Sequence, residues 1–269
     1  MNYPKDLLMV SPEYFDVVYQ INDHMNLENK VDKTLAAKQW GTLKSTYESL
    51  GMNVIVVPGS SSFPDMVFAA NQLFTTPTQT FLSQMKHPER RGEVAYLKSF
   101  LKLENSIQVN SGFESMGDLL WDYAGERLFG GYGFRTDPKS YDEINEKINY
   151  SIRKIMLTNS TFYHLDTCLS IINKNTAMYV RSAFSKETIS QLKNDFVDLI
   201  EVDELEAKNY LACNAHSPDG EHILIEKSAI KLQSDCKMRG FKVIGIDTSE
   251  FLKSGGSIFC LKNQGWFRN

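Results

Sequence analysis

The strongest constraint on the fold is a pattern met five times along the chain. An amphipathic helical stretch, at roughly 31–50, 88–103, 139–156, 185–199 and 227–239, is followed each time by a short apolar, β-prone run. The runs are NVIVV (53–57), SIQVN (106–110), STFYH (160–164), DLIEV (198–202) and KVIGI (242–246), with further strand-like pieces in MVFAANQLF, ERLFGG, TAMYV and HILIE. Gly51 and Gly240 stop the first and last helices. Successive helix starts lie 57, 51, 46 and 42 residues apart, a mean of 49. Five similar units of that size predict a closed, propeller-like α/β arrangement in one domain spanning 1–269. The repeat is one of pattern and not of identity, so an irregular α/β domain with evenly spaced helices is the alternative.

Composition narrows the function classes. Hydrophobic residues make up 42% and charged residues 23%, the balance of a packed globular chain. Lys+Arg 29 against Asp+Glu 33 leaves a net charge of −4, which argues against a nucleic-acid partner. No segment approaches the ~18 apolar residues of a membrane span, and Lys5 and Asp6 interrupt what would be the apolar stretch of a signal peptide. A cytoplasmic protein without a membrane partner is expected. Cys168, Cys213, Cys236 and Cys260 form no C-x-x-C pair and fit neither a zinc site nor a disulfide framework. The first three read as small apolar side chains in a core.

The loops after the β-prone runs are rich in reactive groups: FPDMVFAAN, SGFESMGD, YHLDT, ACNAHSPDG and SGGSIFC. In a cyclic fold such loops converge, giving residues distant in sequence a common site. Cys260 follows Ser254-Gly255-Gly256-Ser257, which permits close backbone approach to a ligand; a buried structural thiol is the alternative. His164 can exchange protons near neutral pH, and Asp166, two residues on, is expected on the same side of a strand. Glu114 and Asp118 bracket Gly117 on a loop, where either could orient His164 or hold a cation, or simply be solvated. Asp65 follows Pro64 and reads equally as a substrate contact or as turn chemistry. Asn214 and His216 lie in the fourth loop, where contact with substrate has no further support.

The strings PDMVFAAN, HPERRGE, FESMGDLL, GGYGFRTD, HLDTCLS and SEFLKSGGSIFC, in order over about 10–260, resemble those of the guanidino-group-modifying enzymes: arginine deiminases, amidinotransferases, dimethylarginine dimethylaminohydrolases and arginine dihydrolases. The resemblance implies a five-bladed α/β propeller (pentein) with pseudo-fivefold symmetry. It implies Cys260 as the nucleophile that attacks the guanidinium carbon to give a covalent thiouronium, and His164 as the acid that protonates the leaving nitrogen and then activates water. Glu114 would bind the guanidinium or orient His164, and Asp166 would take two of its N–H groups. A guanidinium presents donors in a fixed fork that carboxylates match, and its charge favours a thiolate.

Within the group, Asn71 places a neutral amide where deiminases carry an Asp. Asn71, with Asn22, Arg90 and Arg135, resembles the arginine dihydrolases, which convert arginine to ornithine, carbon dioxide and two ammonia. By that resemblance Arg90 and Arg135 could hold the substrate carboxylate; pairing with Glu89 or Asp137 is the ordinary alternative. Dimethylarginine hydrolase and arginine deiminase, giving citrulline, stand behind the dihydrolase, with an amidinotransferase or a non-catalytic binding protein of this fold more remote. No cofactor and no metal is expected, since a metal among His164, Asp166 and Glu114 would compete with the guanidinium. The substrate is a small molecule, arginine or a methylated arginine, and a homo-oligomer remains open. With Asn269 nine residues after Cys260, no appended ornithine-processing domain is expected.

Overall fold

The computed structural model describes residues 3–267. The chain has an α/β fold built on five small sheets. The first joins β1 (Asp6–Val10), β2 (Asn53–Val57) and β14 (Asn263–Gly265); the second β3 (Leu73–Thr75), β4 (Thr80–Leu82) and β5 (Ile107–Gln108). The third holds β6 (Leu119–Asp122), β7 (Arg127–Tyr132) and β8 (Ile152–Met156), and the fourth β9 (Leu169–Asn173), β10 (Thr176–Tyr179) and β11 (Asp198–Glu201). The fifth pairs β12 (His222–Glu226) with β13 (Lys242–Ile246). In each of the first four, the middle strand is antiparallel to one neighbour and parallel to the other. In the fifth, a single antiparallel bridge from His216 to Leu224 stands where the third strand would be.

A parallel pair requires a crossover, and here a helix supplies each one. These are α1 (Lys33–Ser49), α2 (Pro88–Phe100), α3 (Pro138–Asn145), α4 (Lys186–Asp195) and α6 (Ile230–Met238); shorter α5 (Glu204–Tyr210) and α7 (Ser249–Leu252) precede β12 and β14. The start signals are local. Asp32 and Ser185 cap α1 and α4 by accepting from Leu35 N–H and Thr188 N–H, and Pro88 and Pro138 open α2 and α3. Helix α1 buries Ala36, Gln39, Trp40, Leu43 and Tyr47, one stripe at helical spacing, and ends before Gly51 at φ +77°.

Two sequence expectations are corrected. The helix expected over 139–156 stops at Asn145, and its second half is strand β8, in parallel register with β7. The run at 160–164 is not a strand but part of a connection, with Phe162 buried. Every connection leading out of one sheet into the next carries candidate site residues: Asp65 and Asn71 after β2, Glu114 and Asp118 after β5, His164 and Asp166 after β8, Asn214 after β11, and Cys260 after β13. Cys168, Cys213 and Cys236 pack into the largest apolar core, as expected.

Candidate active site

Cys260 lies buried in the turn between α7 and β14. Its thiol donates to Asp166 Oδ2 at 3.2 Å. Asn214 clamps it on two sides, its Oδ1 accepting from Cys260 N–H at 3.2 Å and its Nδ2 donating to Sγ at 3.2 Å and to the Asp166 carbonyl at 3.0 Å. Asn214 is thus a site residue for which its loop position was the only signal in the sequence. Asp166 Oδ1 is buried without a hydrogen-bond partner, an acceptor left for a ligand N–H.

His164 and Asp166 do not share a face of a strand. His164 caps a 3-10 turn over Leu165–Thr167, which sends the two side chains to different partners. His164 Nε2 meets Glu114 Oε2 at 2.7 Å, whereas Asp118 Oδ2 stands 4.0 Å away, so Glu114 is the carboxylate that orients the imidazole. Asp118 instead accepts from Leu165 N–H at 3.0 Å and fixes the turn carrying both residues. The turn Ser115–Gly117 lets the two sides approach. A Cβ on Gly117 would fall 2.5 Å from Asn71 Nδ2 and 3.1 Å from His164 Nδ1, so only glycine leaves room for both. Ser115 holds φ +46° there, its hydroxyl donating to Ser83, whose own hydroxyl donates to the Asn71 carbonyl at 2.6 Å.

Asn71 is fixed by Arg90, whose Nη1 donates to Asn71 Oδ1 at 3.0 Å; the amide Nδ2 is buried and unpartnered. Arg90 is also forked onto Glu93 at 2.9 and 2.8 Å and reaches the Asp65 carbonyl at 3.2 Å. Asp65 Oδ1 accepts from the Ser254 hydroxyl at 2.8 Å. Arg135 donates to Glu114 Oε2 at 3.3 Å and to the Ile21 carbonyl at 2.8 Å, and stacks on the Tyr163 ring at 4.6 Å. The partners of both arginines are therefore buried acids other than Glu89 and Asp137. Asn22 donates to the Ser254 carbonyl at 3.1 Å, and a Cβ on Gly255, at φ +81°, would lie 2.8 Å from Asn22 Oδ1.

The electrostatics divide the acids. Burial alone would raise Glu114, but its hydrogen bond to His164, the imidazole's charge, Arg135 and Arg90 outweigh it and hold the carboxyl well below the usual carboxylate range. Burial pushes Asp118 up to about 6, against His164, Thr136 and Leu165 N–H. Asp166 is pushed up by burial to about 7, against the hydrogen bonds of Cys260 and Asn214 and the charge of Lys262. Burial lifts the Cys260 thiol well above its ordinary value, and the charge of Asp166 lifts it further. A cation about 4 Å from Sγ would favour the thiolate by about 4 kcal/mol at an effective dielectric near 20, roughly three pH units. Among the described residues no group of three or more His, Cys, Asp or Glu is disposed to hold a metal ion.

The chain is a guanidino-group-modifying enzyme, a hydrolase acting on guanidino C–N bonds. Residues 11–264 match the family described as N,N dimethylarginine dimethylhydrolase, eukaryotic, and the chain belongs to that family. It is 35% identical over 254 residues to the N(G),N(G)-dimethylarginine dimethylaminohydrolase of Mycobacterium tuberculosis, covering 94% of this chain and 83% of that protein. It is 33% identical over 263 residues to the bifunctional arginine dihydrolase/ornithine cyclodeaminase ArgZ of Synechocystis sp., covering 95% of this chain but 37% of that protein. The crystal structure of a variant N-terminal domain of ArgZ, covalently bound to a reaction intermediate, superposes with TM-score 0.88 at 30% identity over 97% of this chain and 98% of that one. No helix among the described residues is long and apolar enough to cross a membrane.

Proposed function

We propose that the protein hydrolyses the guanidino group of free L-arginine to ornithine, two ammonia and carbon dioxide, with Cys260 as nucleophile and the five sheets as blades of a closed five-bladed propeller. Cys260 Sγ, ionised to the thiolate beside the cationic substrate, attacks the guanidinium carbon while the substrate N–H groups sit on Asp166 Oδ1 and neighbouring acids. His164, held by Glu114, protonates the departing ammonia, leaving a thiouronium on Sγ. The imidazole then takes a proton from water, whose oxygen adds to the same carbon and expels Sγ as the thiolate. A second round on the ureido carbon expels the other ammonia, and the carbamate formed loses carbon dioxide to give ornithine. The raised Cys260 thiol fits a nucleophile whose ionisation the cationic substrate promotes. Arg90 and Arg135, which donate to Asn71 and Glu114, supply charge for the substrate carboxylate.

The observation that carries this choice is Asn71. Its amide is locked by Arg90 with Nδ2 free and buried beside Gly117 and His164, so a neutral donor faces the site and can serve the neutral ureido group of the second round. The family match and the 35% identical relative favour a second reading, release of methylamines from methylated arginines with citrulline as product. Incubation with arginine, methylated arginines and agmatine separately, with product identification, decides between them. Ornithine with ammonia supports the dihydrolase; citrulline with ammonia or with methylamines refutes it in favour of deimination or demethylamination. Cys260→Ala should abolish every product, and retained turnover would exclude the covalent route.

A further inference from the structure

Three arginine or lysine side chains are buried among the described residues: Arg90, Arg135 and Lys262. The two arginines are matched by Glu93 and Glu114. Lys262 is not: it is wholly inaccessible, and its Nζ has no hydrogen-bond partner. It follows Cys260 by two residues, just ahead of β14, and its Nζ lies 3.2 Å from the centroid of the Phe259 ring. With Phe259 and Met116 it lines a cavity of about 20 Å³, room for a single water. Both the connection that carries Glu114, through Met116, and the one that carries Cys260, through Phe259 and Lys262, reach that cavity.

An unpaired buried ammonium is expensive unless something nearby is anionic. The titratable groups around Lys262 are Asp166, Cys260, His216, Tyr3 and Tyr123. His216 is committed as a neutral ring, accepting from the Tyr47 hydroxyl at 2.8 Å and donating to Gln264 Oε1 at 2.8 Å, because Gln264 Nε2 is turned to the carbonyls of Pro4 and Pro218. Burial drives Lys262 towards the neutral amine, while Asp166 and Cys260 draw it back towards the ammonium. Its charge is therefore tied to theirs.

We propose that Lys262 is a positioning residue for the nucleophile: an amine that gains a proton as the Cys260 thiol loses one, so that thiolate and Asp166 carboxylate can coexist in the buried site. The net charge of the site is unchanged by this exchange. The inference rests on reading Cys260 as the nucleophile, but its test does not depend on turnover. In the substrate-free protein, alkylation of Cys260 by iodoacetamide, followed by peptide mass spectrometry between pH 6 and 10, reports the thiolate directly. Lys262→Met, which keeps the side chain's bulk, should slow alkylation about tenfold across this pH range, the equivalent of a shift of about one pH unit. A purely structural lysine would lower the melting temperature and leave the profile in place, and an unmoved profile overturns the proposal. Should that variant not fold, ¹⁵N-lysine NMR serves in its stead: the one buried lysine among the described residues should titrate at lower pH in Cys260→Ser than in the unaltered protein. Equal midpoints would overturn it. Turnover retained by Cys260→Ala would sink the function proposed above while leaving the alkylation result intact.

Discussion

Replacing Asp166 by Asn should make the nucleophile more reactive and the enzyme inactive. Asp166 Oδ2 lies 3.2 Å from Sγ with both groups buried. A full carboxylate charge at that distance opposes a thiolate by about 5 kcal/mol at an effective dielectric near 20. Asp166 is itself raised to about 7, so near neutral pH protonation already relieves part of that repulsion. A tenfold gain in thiolate, about 1.4 kcal/mol, is the floor to expect. The substituted amide also removes the carboxylate that accepts the thiol proton and can turn a donor towards sulfur. Iodoacetamide alkylation of Cys260 in the substrate-free Asp166→Asn protein should therefore be at least about tenfold faster at pH 7.5. Against this, the guanidinium loses a charge-assisted partner worth about 3 kcal/mol, so kcat/KM on arginine should fall about a hundredfold or more. The two readouts move in opposite directions. Slower alkylation, or unchanged turnover, would refute the assignment of Asp166 as both brake on the thiol and seat for the cation.

Asn71→Asp should shift the product from ornithine towards citrulline, read by chromatography of the amino acids; ornithine alone would show that the amide does not govern the second round. Glu114→Gln should lower kcat by about 10² or more, because the imidazole loses its 2.7 Å anchor. The same substitution carries a pH signature. The folded Glu114 carboxyl lies below its ordinary value of 4.5, so its contribution to stability is present above that pH and is lost as pH falls below it. The difference in urea midpoint between the unaltered protein and Glu114→Gln should accordingly be largest near neutrality and shrink under acid. Tyr47→Phe should destabilise the protein by about 1–3 kcal/mol in urea unfolding, since it leaves His216 Nδ1 buried and unmatched.

The repeating crossover was legible because Asp32, Pro88, Pro138 and Ser185 mark four of the five crossover-helix starts and Gly51 and Gly240 two of the stops. Where reading failed, the pattern was ambiguous. Ile144, Ile148, Ile152 and Met156 recur every four residues, so the stripe of α3 runs on past its end at Asn145 into β8, which is a strand only because β7 offers it a partner. The run Ser160–His164 has strand composition but no neighbouring edge. For the site, identity of the reactive residues was legible and their pairing was not. Glu114 and Asp118 are separated as partners of His164 only by the 3-10 turn between them, and the 3-10 turn at 165–167 aims His164 and Asp166 apart. Lys262 escaped notice altogether. A lone lysine between Leu261 and Asn263 reads as solvated, and it is enclosed only by residues distant in sequence, among them Met116, Leu120 and Ile172.

That closing has a consequence for biosynthesis. β14 pairs Leu8 with Asn263, contacts separated by almost the full length of the chain, and Cys260 precedes β14 by three residues. Such distant pairing is slow to form and cannot begin on a ribosome until residue 265 has emerged. The carboxylates, the imidazole and Asn214 can be arrayed by earlier sheets, but the sulfur is delivered last. A molecule that has not yet closed β14 onto β1 thus lacks the sulfur proposed as nucleophile, and on that proposal reactivity toward guanidines becomes a readout of completed folding.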